Sequence, residues 1–228
     1  MADLGYERYV VQGGDHGAIL GPHVGRVDAE HVLGVHVNAA TLGFMPMGEV
    51  DDSTAAELTD VERQRVQAIA TFMQDGNGYN VVQATRPQTI GYGLEDSPVA
   101  QLTWIVEKVV AWTHDEASLD DLHHRSRHLA NVVIHWLTRT ATSAAMNDYA
   151  EYSALFADPS SFANSGVPTA VIVYAEDIAI RRFAEESNTI TRWTDVDTGG
   201  HFAALEQPES LVADLREFVR ELTDTAKT

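Results

Sequence analysis

The chain has 228 residues, 44% of them apolar, enough to form one domain with a sizeable core. Its formal net charge is -19, and lysine occurs only at Lys108 and Lys227, which excludes nucleic acid and anionic membrane as partners because both repel such a surface. The absence of cysteine excludes disulfides and thiol chemistry; no apolar run approaches the about 18 residues that would span a bilayer and no signal peptide is visible, so a cytoplasmic setting is expected.

The first predicted element is a strand over Arg8 to Gln12, running into Gln12-Gly13-Gly14-Asp15-His16-Gly17. This has the form of a nucleophile elbow, a sharp strand-to-helix turn, with aspartate in the reactive place. Glycines two before and two after that residue let the backbone segments approach without Cβ clashes. A carboxylate there suits attack on saturated carbon, because it displaces a leaving group in one step and leaves an alkyl ester for water to cleave. An ordinary Gly-Asp turn has the same spelling, so the elbow needs support from the rest of the chain. Behind it, Gly21-Pro22 is expected to interrupt the helix, since proline removes an intrahelical donor.

A second strand is predicted over Val32 to Val37, with His36 as a hydrogen-bonded packing residue. A long helical insertion follows. Thr59 and Glu62 form a capping box that opens a helix through Met73. Ser97 followed by Pro98 at the first helical position opens another through Trp112. A third runs from Ser118 past Leu137. Tyr92 and Trp104 read as core or pocket-wall residues. His123, His124 and His128 include an i, i+4 pair with metal-ligand spacing, but without a nearby cysteine they read as solvent-facing histidines.

Strands return at Thr169 to Tyr174, ending in Ala175-Glu176-Asp177, and at Thr191 to Val196, leading to Gly199-Gly200-His201-Phe202. The final helix, from Pro208, carries Leu211, Leu215, Phe218 and Leu222 on one face as a packing stripe. Strands alternating with helices predict an α/β fold with a mostly parallel sheet. Nucleophile, acid and histidine occur in the order of α/β-hydrolase triads.

With these elements in place, the chain resembles the microsomal-type epoxide hydrolases over nearly its whole length. The matching stretches are Val11-Gln12-Gly13-Gly14-Asp15, Gly34-Val35-His36-Val37-Asn38, Gly78-Tyr79, Arg86-Pro87-Gln88-Thr89-Ile90-Gly91-Tyr92, Asp96-Ser97-Pro98-Val99, Val167-Pro168-Thr169 and Gly199-Gly200-His201-Phe202-Ala203-Ala204. The resemblance implies Asp15 as nucleophile, His201 as general base, Asp177 as the acid that orients it (with Glu176 the runner-up), and Tyr79 as a lid tyrosine bonded to the epoxide oxygen. It implies a small apolar epoxide and water as substrates, with no metal or organic cofactor.

Departures from the family pattern bear on the same site. His16 stands where the family usually has tryptophan, so its backbone N–H can serve as an oxyanion donor while the apolar pocket wall is lost. The family's second lid tyrosine falls at Asp148, with Tyr149 one residue on, and an ionised aspartate cannot donate. The family's first strands and its second oxyanion-donor turn have no counterpart ahead of Asp15.

The resulting expectation is a partial α/β-hydrolase fold. Residues 1–228 would form one truncated domain lacking the first strands, with a lid insertion at approximately 45–150. Activity would be impaired, and an open sheet edge would invite self-association. Two other readings stay open: a haloalkane dehalogenase-like hydrolase, against which the missing tryptophan counts, and a non-catalytic remnant or interaction module. A salt-adapted source and ordinary acidic bias account equally well for the charge.

Overall fold

Four segments form one sheet: β1 (Tyr9–Gly14), β2 (Val32–Asn38), β3 (Pro168–Val173) and β4 (Thr189–Asp195). They are neighbours in the order β1-β2-β3-β4, and every pair is parallel. The computed structural model describes residues 1–114 and 122–225. Successive side chains of a strand point to opposite faces. Val35, Val37, Val171 and Val173 therefore share one face with Ala18 and Phe44, while Ile172 and Tyr174 lie on the other with Ala203. β2 and β3 are almost wholly buried, as inner strands of a parallel sheet are. β1 is an edge strand and only half-buried, and among the described residues β2 is its one ladder partner.

The helix after the elbow, α1 (His16–Val27), lies against β1 and β2. It runs unbroken through Pro22, contrary to the interruption expected at Gly21-Pro22. Proline holds φ near the helical value, so its cost is a lost bond and a local clash. Burial of Ala18, Ile19, Gly21 and Pro22 along the sheet-facing side keeps the helix continuous. Next come α2 (Asp52–Glu57) and α3 (Asp60–Thr71). The capping box forms as read: Thr59 N–H donates to Glu62 Oε2 at 2.8 Å and Glu62 N–H to Thr59 Oγ1 at 3.2 Å. α3 stops before Met73 because the chain widens into a π-helical segment, Phe72–Gly76.

The chain divides into two compact units, Met1–Ile69 with Phe162–Thr228, and Ala70–Ser161. The second is helical: α4 (Gly78–Thr85), α5 (Pro87–Asp96), α6 (Pro98–Trp112), α7 (Leu122–Thr138), α8 (Ala141–Ala145) and α9 (Asn147–Ala157). Ser97 Oγ accepts the Ala100 N–H at the start of α6, the cap that Ser97-Pro98 announced. Tyr92 is 65% exposed rather than core, because α5 turns Pro87, Gly91 and Leu94 inward. Its hydroxyl accepts from Gln88 Nε2 at 2.6 Å. Trp104 is half-buried, and its Nε1 donates to Gln83 Oε1 at 3.1 Å. The expected helix start at Ser118 and the side chains of His123 and His124 lie outside the described residues.

In the first unit, α10 (Arg181–Ser187), α11 (Ala203–Glu206) and α12 (Pro208–Thr225) complete the order. α12 buries Phe218 fully. It also carries Asp214, the hub of a buried polar cluster. Asp214 accepts from Arg192 Nε and Nη2, Thr194 Oγ1 and, at 3.1 Å, from His36 Nε2. The sequence reading of His36 as a bonded packing residue agrees with this. Burial works to raise the Asp214 carboxyl, but its bonds to His36, Arg192 and Thr194 prevail and hold it down at about 2. Among the described residues no helix is long and apolar enough to cross a membrane.

Candidate active site

All of the elbow and loop residues singled out in the first unit fall at the carboxyl ends of parallel strands, where open α/β sheets place their sites. Asp15 follows β1 directly and has φ 57 and ψ -118, a strained conformation for a residue with a side chain. The turn is enforced on its strand side. A Cβ at Gly13 would lie 2.5 Å from the Gly17 carbonyl oxygen, so only glycine fits there. Gly17 itself has open space, so the second glycine of the motif is not required by a Cβ clash of its own. Asp15 N–H donates to Ala39 O at 3.2 Å, tying the elbow to the end of β2.

His201, in the loop after β4, brings Nε2 to 2.9 Å from Asp15 Oδ2. His16 Nε2 stands 4.0 Å from Oδ1, and its backbone N–H hydrogen-bonds the same carboxylate. Desolvation tends to raise the Asp15 carboxyl, yet the hydrogen bond and charge of His201, with His16, outweigh it and hold Asp15 below the usual carboxylate range. Asp15 is thus ionised and poised at neutral pH.

Two acids compete for the third place, and their burial separates them. Asp177 is 7% exposed, whereas the Glu176 side chain points to solvent. Tyr174 N–H donates to Asp177 Oδ2 at 2.9 Å, and the Ala39 N–H donates to the same carboxylate. Burial pushes Asp177 up to about 6, against the opposing pull of those N–H groups and of the His201 and Arg65 charges. Glu176 contributes its backbone instead, donating to Gly199 O at 3.4 Å and so linking the acid loop to the histidine loop. At Gly199, φ is 87, and a Cβ would meet Gln207 at 2.6 Å, which explains glycine before His201.

Sequence reading missed Ala39. Its carbonyl accepts from Asp15 and its N–H donates to Asp177, so one residue of positive φ (44) clamps both acids. No residue type announces such a role, because the main chain performs it. Asn38 beside it accepts from Gln12 Nε2 at 2.9 Å.

The remaining sequence candidates lie in the second unit. Tyr79, on α4, sets its ring edge-on to Trp112, with centroids 5.5 Å apart. Lys108 Nζ lies over the Tyr79 ring, 4.6 Å from its centre. Asp148 is 3% exposed and accepts from Gln83 Nε2, while Tyr149 is 50% exposed. Consecutive residues of a helix point about 100° apart, which is why burying one leaves the other outside. Among the described residues no group of histidines and carboxylates is arranged to hold a metal ion.

No family model matches the chain. It is 33% identical over 225 residues to a Stigmatella aurantiaca protein that carries the provisional name epoxide hydrolase, covering 97% of this chain and 49% of that one. Identity to epoxide hydrolase 1 of Sus scrofa is 28%, over 96% of this chain and 52% of the relative. The Aspergillus niger epoxide hydrolase structure superposes with a TM-score of 0.80 at 29% identity, over 97% of this chain and 55% of that one. The chain is a homologue of the epoxide hydrolases. Juvenile hormone epoxide hydrolase from Bombyx mori matches similarly, with a TM-score of 0.76 at 27% identity over 99% of this chain and 57% of that structure. The α/β-hydrolase fold expected from the sequence is thereby established, and the chain spans about half the length of the curated relatives it matches.

Proposed function

We propose that this chain carries the machinery of an epoxide hydrolase, converting a small apolar epoxide and water into a vicinal diol. The observation that carries the reading is the 2.9 Å contact between Asp15 and His201 at a strained elbow, in a homologue of epoxide hydrolases. In this reading an Asp15 oxygen attacks an epoxide carbon from behind, the ring C–O bond breaks, and the oxygen takes a proton from Tyr79. Water then attacks the ester carbonyl while His201 accepts its proton and Asp177 steadies the imidazolium. The His16 N–H stabilises the tetrahedral oxyanion. Collapse breaks the acyl–oxygen bond; the departing oxygen takes the second proton of the water from the newly formed Asp15 carboxyl, which restores the carboxylate, the diol leaves, and the proton on His201 returns through solvent to the Tyr79 phenolate.

The role of Asp15 is tested by trapping. His201→Gln removes the base but not the nucleophile, so incubation with styrene oxide should leave an alkyl group on the peptide containing Asp15, visible by mass spectrometry. Turnover by the unmodified chain with no adduct on that peptide in the variant would overturn the assignment.

A further inference from the structure

Lysine is scarce in this chain, with only two in 228 residues against 34 acidic residues. One of them, Lys108, is placed against the ring of Tyr79. Its Nζ lies 4.6 Å from the Tyr79 ring centre and 5.9 Å from that of Trp112. Only 16% of the side chain is exposed, so the stem is committed to this contact and the ammonium is partly withdrawn from water. Its ion pair with Glu107, at 2.7 Å, reaches an acid that is largely in solvent. Trp112 meets the Tyr79 ring at 65°, bracing it edge-on.

We propose that Lys108 is a positioning residue for epoxide opening. Its ammonium, packed on the face of Tyr79, strengthens that phenol as a hydrogen-bond donor and holds the ring against Trp112. The inference rests on the proposed role of Tyr79 and deepens it. A cation a few ångströms from a phenol favours the negative form of the oxygen, so the proton is given up more readily as the alkoxide develops.

The charged groups on the helices around α4 make the placement significant. Asp148 and Glu151 on α9, Glu95 and Asp96 on α5, and Glu107 on α6 are acids, while Arg86 closes α4 itself; a carboxylate near a phenol favours its neutral form. Lys108 opposes this. Asp148 accepts from Gln83, which lies one turn along α4 from Tyr79, while Tyr149 is turned half to solvent. That leaves one tyrosine on α4 to serve as donor, and a cation beside it is the compensation.

The test separates charge from packing. In the full chain labelled with 13Cζ-tyrosine, the Tyr79 resonance is assigned with Tyr79→Phe and titrated by NMR in three forms: unaltered, Lys108→Met and Lys108→Arg. Lys108→Met keeps the stem and removes the charge, so the Tyr79 midpoint should move to higher pH, whereas Lys108→Arg should leave it near the original. Single-turnover alkylation by styrene oxide should slow about three- to tenfold in Lys108→Met and largely recover in Lys108→Arg. An unmoved Tyr79 midpoint in Lys108→Met overturns the inference whatever the rate does. If the midpoint moves but Tyr79→Phe alkylates at the normal rate, the proposed role of Tyr79 is what fails, and Lys108 loses its catalytic meaning with it.

Discussion

Replacing Asp177 by asparagine should make the protein more stable at neutral pH while disabling it. The folded carboxyl titrates at about 6, against an ordinary 3.8, with burial as the leading cause. An acid with a higher folded than unfolded pKa binds its proton more tightly when folded. Between those two values the folded state therefore holds more protons, and stability falls as pH rises. By pH 7 the gap of about two units corresponds to about 3 kcal/mol of lost stability. Asparagine cannot ionise, fills nearly the same volume, and its oxygen can still accept from Tyr174 N–H. Its amide nitrogen faces the Ala39 N–H, which returns roughly 1–2 kcal/mol of the gain. The net expectation is a variant about 1–2 kcal/mol more stable than the parent at pH 7.5, or roughly 2–8 °C in Tm for a chain of this size. The advantage should vanish and reverse below about pH 4, where Asp177 is protonated in both states and only the lost N–H bond remains. Urea denaturation of both proteins from pH 4 to 8, followed by tryptophan fluorescence, measures this directly. A stability difference that stays flat across that range would refute the reasoning, as would a variant less stable than the parent at pH 8. Ester hydrolysis should meanwhile collapse, because His201 loses the partner that orients it.

Tyr79→Phe removes the proposed donor without emptying volume, so single-turnover alkylation should slow by roughly 10²–10³-fold; an unchanged rate would make Tyr79 structural. Asp214→Asn leaves Arg192 partly unpaired in a buried cluster and should cost about 3–5 kcal/mol of stability by denaturant titration. For Asp214 itself the folded pKa is depressed, so its contribution is present above pH 3.8 and is lost as pH falls toward about 2. The 228-residue chain should self-associate at low salt through the outer edge of β1, which has no ladder partner among the described residues, seen as concentration-dependent sedimentation; a monodisperse monomer at high concentration would show that this edge is protected.

Much of the site was legible because its parts are local. The elbow is spelled by Gly13, Asp15 and the strand before it, and a turn that tight needs glycine wherever backbone approaches backbone. Thr59 with Glu62, and Ser97 before Pro98, announced helix starts because capping bonds span three residues. The strands were readable because inner parallel strands are largely apolar on both faces: β3 runs through Ala170, Val171, Ile172 and Val173, and β2 carries Val32, Leu33, Val35 and Val37. Exposure was less legible. Tyr92 read as a core or pocket-wall residue, and α5 turns it away from the core, while Pro22 sits inside a helix that it was expected to interrupt.

The amino-acid sequence by itself placed a glycine-flanked Asp15 directly after one strand and His201 in the loop after another, because each of those patterns depends on short-range spacing along its own strand–turn unit. Only the tertiary structure separated Glu176 from Asp177 by burial, since which of two neighbouring side chains is desolvated depends on how the loop packs rather than on residue type. The same holds for Ala39, whose main chain clamps two acids more than a hundred residues apart in the chain, and for Lys108 over Tyr79. These arrangements bring together residues distant in sequence, and no local pattern records where the folded chain will bring them.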